Sequence, residues 1–290
     1  MKSTRTIWGR GLLAALAPAL LLAATAQARI DPQVKSQSVV VVDETDASVL
    51  YSKKANVAAP IASITKLMTA LVVLDGEQPL EEMIQITKED RDTRYGSGSR
   101  LTVGSKLSRG DLLHLALMSS ENRAAHALGR TYPGGTPQFV RAMNARAKAL
   151  GMKTARFADA SGLSSKNVSS AADLVKLVIA ASDIPVIRTY STSDSHVVRV
   201  GKQLLESRNT NTLVTKADWD ISVQKTGYTS DAGQCLVMKA MIGERPVVMV
   251  FLNSFGKLTR LAEARRIRKW MERSAPSSQL ASSSGAGGRS

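Results

Sequence analysis

Strand-forming runs stand at both ends of this chain with a long helical stretch between them, and that arrangement narrows the folds open to it. Residues 39–42, a polar turn at Asp43-Glu44-Thr45-Asp46, and residues 47–51 read as two strands joined by a turn. Towards the other end, residues 234–242 and 246–253 form a hairpin around Gly243-Glu244, and residues 197–200 and 204–206 flank Gly201-Lys202 as another. A loop at residues 56–60 leads into residues 63–74, whose apolar positions recur at helical spacing. From residue 87 to about 190 the pattern is mostly helical, clearest at 107–117, 137–150 and 171–181, and residues 258–271 form a last helix. Strands from the two ends bury their apolar faces by sharing one sheet. The expectation is therefore an antiparallel sheet closed by the two termini, with an inserted helical lobe at about 87–190.

The amino terminus carries Lys2, Arg5 and Arg10, then an apolar run at 11–24, then Ala26-Gln27-Ala28. A basic start, a short apolar core and a small-x-small end together predict a secretory signal peptide cleaved after Ala28, hence export to the periplasm. The run is shorter than a spanning helix requires and contains Pro18, which weighs against the alternative of an uncleaved anchor. Residues 29–274 then form the folded domain. The Ser-, Gly- and Ala-rich stretch 275–290 is expected to be a disordered tail.

Cys235 is the only cysteine, so no intrachain disulfide forms, and its setting in Cys235-Leu236-Val237-Met238 is that of a buried strand residue. His114, His126 and His196 are scattered without ligand spacing, so neither a metal nor any other cofactor is expected. His114, among leucines, reads as a core or interface residue. The formal charge is +15, falling to +12 once the three cations and no acids of residues 1–28 are removed. Such a chain is drawn to anionic polymers. Aromatic residues make up only 4% of it and no base-stacking motif or recognition helix appears, so nucleic acid is not expected as a partner. The arginine-rich stretch 260–273 reads as a solvated helix face, with a membrane-surface helix as the alternative.

Three short strings carry the chemistry. In Ser63-Ile64-Thr65-Lys66, a hydroxyl and an amine three residues apart share one face of a helix. A serine hydroxyl is a poor nucleophile without a base in reach, and an amine freed of its proton by burial can be that base. Read alone, the string favours Ser63 as a helix cap and Lys66 as a solvated side chain. Ser120-Glu121-Asn122 follows an apolar helix, where it is also a natural helix-start cap. Lys225-Thr226-Gly227 follows an alternating run at 221–223 that suits an edge strand, though such a tripeptide is often just a turn.

In this order the three strings resemble those of the low-molecular-weight penicillin-binding proteins, the D-alanyl-D-alanine carboxypeptidases and endopeptidases. The resemblance extends over residues 34–270. It includes Lys66-Leu67-Met68-Thr69-Ala70, Leu117-Met118-Ser119-Ser120, Phe157-Ala158-Asp159-Ala160-Ser161-Gly162-Leu163, Asn209-Thr210-Asn211 and Lys225-Thr226-Gly227-Tyr228-Thr229. It implies an α/β fold, the β-lactamase/DD-peptidase-like sandwich of an antiparallel sheet flanked by helices with an inserted helical lobe, and a serine acyl-enzyme. Ser63 would be the nucleophile, Lys66 its base and Ser120 a proton relay. Asn122 would hold the acyl side of the substrate, and Glu121 would point away. Lys225 and Thr226 would take a substrate carboxylate, Gly227 would leave room for it, and the amides of Ser63 and Tyr228 would form the oxyanion hole.

The implied substrates are peptidoglycan stem peptides, with β-lactam antibiotics as covalent inhibitors; peripheral contact with the membrane or with wall-synthesis proteins stays open. The chain ends one helix after its last strands, which resembles the shorter endopeptidases that cut D-alanyl–meso-diaminopimelyl cross-links. Trimming of pentapeptides as a carboxypeptidase is the nearest alternative. A class A-like β-lactamase needs a glutamate to activate water, and residues 157–167 offer only Asp159. A non-catalytic wall-binding protein is the remaining rival.

Overall fold

The computed structural model describes residues 31–92, 96 and 98–274; the expected signal peptide and the 275–290 tail lie outside them. In chain order the elements are β1 (Ser38–Asp43), β2 (Val49–Lys53), β3 (Ala59–Pro60), α1 (Thr65–Asp75), β4 (Met83–Gln85), β5 (Lys106–Ser108), α2 (Arg109–Met118), α3 (Asn122–Arg130) and α4 (Gly135–Ala149). They continue with β6 (Val168–Ser169), α5 (Ala171–Ser182), α6 (Pro185–Thr192), β7 (Ser195–Val200), β8 (Gln203–Arg208), β9 (Asp220–Thr229), β10 (Gly233–Ile242), β11 (Arg245–Ser254) and α7 (Thr259–Ser274).

Five strands form the main sheet in the order β2-β1-β11-β10-β9, and its pairings are antiparallel throughout. β1 lies against β11, with Val40 opposite Val250, so the two ends of the chain do close one sheet. Because side chains alternate along a strand, β1 serves two cores. Val40 and Val42 pack with Val237, Val250 and helices α1 and α5, while Val39 and Val41 pack with Met249, Phe251 and the α7 stripe Leu261, Ala264, Ile267 and Met271. With both faces covered, β1 is buried along its whole length.

Two local details differ from the sequence expectation. The helix expected over 107–117 begins at Arg109, because Ser108 accepts the Asp111 amide as a cap and residues 106–108 pair instead with 83–85. The helix expected from Ser63 starts at Thr65, after a 3₁₀ turn at Ala62–Ile64. α1 is buried all round from Thr65 to Val73. A helix in that position carries any polar residue it contains into the interior, Lys66 included. β9 is one of the two edges of the sheet, beside the Ala62–Ile64 turn and α6.

Candidate active site

Ser63 sits in a turn held under backbone strain. Its neighbour Ala62 has φ +46, a conformation that costs a non-glycine residue free energy and persists only where its surroundings impose it. Those surroundings are the segment 157–167. The Ile61 amide donates to the Asn167 carbonyl at 3.1 Å, Thr69 Oγ1 donates to the Ala160 carbonyl at 2.6 Å, and a Cβ on Gly162 would fall 1.9 Å from the Ala62 oxygen. Only glycine fits there.

The segment is organised around one carboxylate. Asp159 accepts from the amides of Ser161 (2.8 Å), Gly162 (2.6 Å) and Ser164 (2.8 Å) and from Asn167 Nδ2 (3.0 Å). Burial would raise its pKa, but the Ser164, Gly162 and Ser161 amides outweigh that and hold it below the usual carboxylate range.

Lys66 is fully buried, and its Nζ lies 2.8 Å from Ser63 Oγ, 2.7 Å from Asn122 Oδ1 and 2.7 Å from the Ser161 carbonyl. Burial pulls its pKa down to about 7, against the opposing pull of Asp159 and Glu121. A neutral amine has two N–H bonds and one lone pair. Asn122 Oδ1 and the Ser161 carbonyl only accept, so they take the two N–H bonds. The lone pair is left facing the Ser63 hydroxyl, which is the orientation needed to remove its proton.

Ser120 lies in the turn between α2 and α3 with φ +63, and the Glu121 amide reaches back to the Leu115 carbonyl at 3.1 Å. Glu121 caps α3 by accepting the Arg123 amide at 3.1 Å, so its carboxylate is spent on the helix start. Asn122, the first residue of α3, turns its oxygen to Lys66 and keeps its Nδ2 group for another acceptor.

The third string lies on β9. Thr226 Oγ1 is 2.6 Å from Thr210 Oγ1, and the Thr210 amide donates to the Met118 carbonyl at 3.2 Å, which ties β9 to the end of α2 just before Ser120. Gly227 presses on the Ser63 turn: a Cβ there would lie 3.1 Å from the Ser63 nitrogen and 3.0 Å from the Ile61 oxygen. Lys225 is fully buried, with the Thr226 carbonyl as acceptor at 3.1 Å. Burial first, then the positive charges of Lys66 and Arg260, hold its pKa well below the ordinary lysine value. All three strings therefore meet at one place, with Tyr228 next along the same edge strand.

The sequence reading missed Arg260, which it placed on a solvated face. Arg260 is half-buried in the first turn of α7, its Nε and Nη1 lack hydrogen-bond partners among the described residues, and its charge is felt by both Lys225 and Cys235. A signal existed: a cation in a helix's first turn opposes the helix dipole, so its position calls for another reason. Cys235 is buried and free as expected, and burial pushes its thiol up to about 11. Chemically, the site offers a hydroxyl with a base aimed at it, together with the buried Lys225 amine and, in electrostatic contact with that amine, the Arg260 guanidinium.

Comparison with known proteins agrees. A family model described as D-alanyl-D-alanine carboxypeptidase (peptidase S11) matches residues 24–256. The D-alanyl-D-alanine endopeptidase of Pseudomonas aeruginosa is 47% identical over 245 residues, 84% of this chain and 79% of that protein. The Escherichia coli protein of the same name is 45% identical over 251 residues, 86% and 81% of the two chains. Among solved structures, the Streptomyces K15 DD-transpeptidase superposes with a TM-score of 0.77 at 25% identity, covering 83% of this chain and 98% of that one.

Proposed function

This chain belongs to the D-alanyl-D-alanine carboxypeptidase family, peptidase S11, and from that premise we propose that it is a serine D-alanyl-D-alanine endopeptidase acting on cross-linked peptidoglycan stem peptides. The observation that carries the reading is the set of three contacts at Lys66, which aims the amine's lone pair at Ser63.

Neutral Lys66 takes the Ser63 proton as Ser63 Oγ attacks the D-alanyl carbonyl. The negative charge that develops on the carbonyl oxygen is received by the amides of Ser63 and Tyr228, and one such donor is commonly worth ~3 kcal/mol. Ser120 relays the proton from Lys66 to the leaving nitrogen, the scissile C–N bond breaks, and an ester to Ser63 remains. Asn122 Nδ2 holds the acyl side. The carboxylate beside the leaving nitrogen lies against Lys225, Thr226 and Arg260, with Gly227 leaving room. Water then adds to the ester, Lys66 takes its proton, and the acid and free Ser63 are regenerated.

β-Lactams would acylate Ser63 in the same way. The 157–167 segment offers no carboxylate for rapid water activation, because Asp159 is engaged by the amides of its own loop. That supports a long-lived adduct over β-lactamase turnover. The basic start, apolar run and Ala26-Gln27-Ala28 support export and a periplasmic site of action.

The test is digestion of isolated peptidoglycan, with products resolved by mass. The expected result is loss of dimeric stem peptides by the wild type and none by Ser63→Ala. Loss of only the terminal alanine from pentapeptides would assign a carboxypeptidase, and full activity in Ser63→Ala would end the serine mechanism.

A further inference from the structure

Behind Lys66 stands a histidine that the mechanism above does not use. His126 lies on α3 four residues after Asn122, so the two share a helix face. Its Nε2 is 3.0 Å from Ser161 Oγ, and the carbonyl of that same serine is one of the two acceptors that orient the Lys66 amine.

The direction of this hydrogen bond follows from counting protons. Ser161 Oγ also lies 3.1 Å from Asp159 Oδ1 and receives the Leu163 amide at 3.2 Å. An ionised carboxylate only accepts, so the Ser161 hydroxyl proton goes to Asp159. One lone pair of the hydroxyl then takes the Leu163 N–H, and the other takes an N–H from His126. The imidazole is therefore the Nε2–H tautomer, donating to Ser161.

We propose that His126 is a positioning residue for the general base: by donating to Ser161 Oγ it fixes the Ser161 carbonyl against Lys66 Nζ, so that one face of α3 sets both acceptors, Asn122 directly and Ser161 through His126. Burial keeps the imidazole's proton affinity low, and the positive charge of Lys66 acts in the same sense. Asp159 on the loop, Asp90 at the end of the Lys88–Asp90 turn, and Asp92 just beyond pull the other way. Asp90 is itself held by Arg130, 2.9 Å away on α3. A neutral donor is what the role needs, since it orients the carbonyl without placing a cation beside the neutral amine.

The inference rests on the acyl-transfer reading of the site, and the experiment separates the two. His126→Gln keeps an N–H at a similar reach, whereas His126→Leu fills the space without donating. The readouts are the acylation rate with a fluorescent penicillin, KM and kcat on a cross-linked stem peptide, and the ¹⁵N shifts of the wild-type histidines at pH 8, assigned through the signal lost in His126→Gln. Expected are a 10- to 100-fold slower acylation in His126→Leu with KM within about twofold, a rate within about threefold of wild type in His126→Gln, and an Nε2–H signature for His126. Equal rates for wild type and His126→Leu, a His126→Gln as slow as His126→Leu, or an Nδ1–H tautomer would each overturn the role of His126. If His126→Leu does not fold, the tautomer and the His126→Gln rate decide the matter. A wild type that is never acylated would instead sink the reading of the whole site, and this inference with it.

Discussion

The start of α1 and the edge strand β9 each bring a lysine, fully buried, into the same site, yet they leave the two amines in opposite conditions. Lys66 has three oxygen partners within 2.8 Å, two of them pure acceptors. Lys225 has one backbone acceptor at 3.1 Å and two basic neighbours, Lys66 and Arg260. Burial lowers the proton affinity of both. What separates them is the geometry of their partners. On the proposed reading, Lys66 is satisfied as a neutral amine with a directed lone pair and acts as the base, whereas Lys225, short of acceptors, would be completed by an incoming anion. Equal burial therefore does not mean equal chemistry.

The sharpest way to break this contrast is to make Lys66 a permanent cation. Lys66→Arg should lower acylation by a fluorescent penicillin ~10³-fold or more, because a guanidinium stays protonated and has no lone pair to offer. Measurable acylation near the wild-type rate would mean that Lys66 is not the base. At β9 the expected loss is smaller and of a different kind. Lys225→Ala and Arg260→Ala should each reduce kcat/KM for a peptide with a free carboxylate by ~10- to 100-fold, consistent with the loss of a charged hydrogen bond of ~1.5–3 kcal/mol. Hydrolysis of a neutral ester should fall much less, and equal losses on both substrates would remove the assignment of a carboxylate pocket.

The pH profile sharpens the same comparison. Lys66 must lose its proton to act, and burial sets its pKa at about 7, so the acylation rate should rise through that region. A rise only near the ~10.4 of free lysine would show that burial does not tune the amine.

The smallest effect is on stability, and its sign is fixed by linkage. Lys66 binds its proton less tightly when folded than when unfolded, so the unfolded chain holds more protons between about 7 and the reference value of 10.5, and stability rises with pH across that window. Below it the fold carries a buried charge. Lys66→Met should therefore be more stable than the wild type at pH 6, by ~1–4 kcal/mol in urea unfolding, with the gain shrinking towards pH 10.5. A destabilised Lys66→Met at pH 6 would argue that the three acceptors at Nζ outweigh the cost of burying the amine.

Much of this was legible in the order of residues. The valine-rich β1 and the apolar runs of β10 and β11 around the Gly243-Glu244 turn belong to strands, and pairing of the two chain ends followed because neither group could bury its apolar face alone. The three strings named Ser63, Lys66, Ser120, Asn122, Lys225, Thr226 and Gly227, and the structure brings their segments together. Other features were hidden because their meaning lies across the chain. Ser161 reads as a loop serine until its carbonyl is seen 2.7 Å from Lys66 Nζ. Thr210 matters because it touches Thr226 and the end of α2. Arg260 looked solvated because a helical pattern does not tell which neighbour lies at the helix end. The Ser63 helix starts two residues late, after the strained turn at Ala62, whose carbonyl packs so closely on Gly162, a hundred residues away, that only a glycine fits there.

The sequence alone determined the inventory: which groups can attack, accept a proton or hold a charge, and which segments must be strands or helices to bury their apolar faces. Tertiary structure decided the electronic state of that inventory. Proton affinity and lone-pair direction depend on burial and on acceptors drawn from α3, the 157–167 segment and β9, and no local pattern of residues encodes those distances.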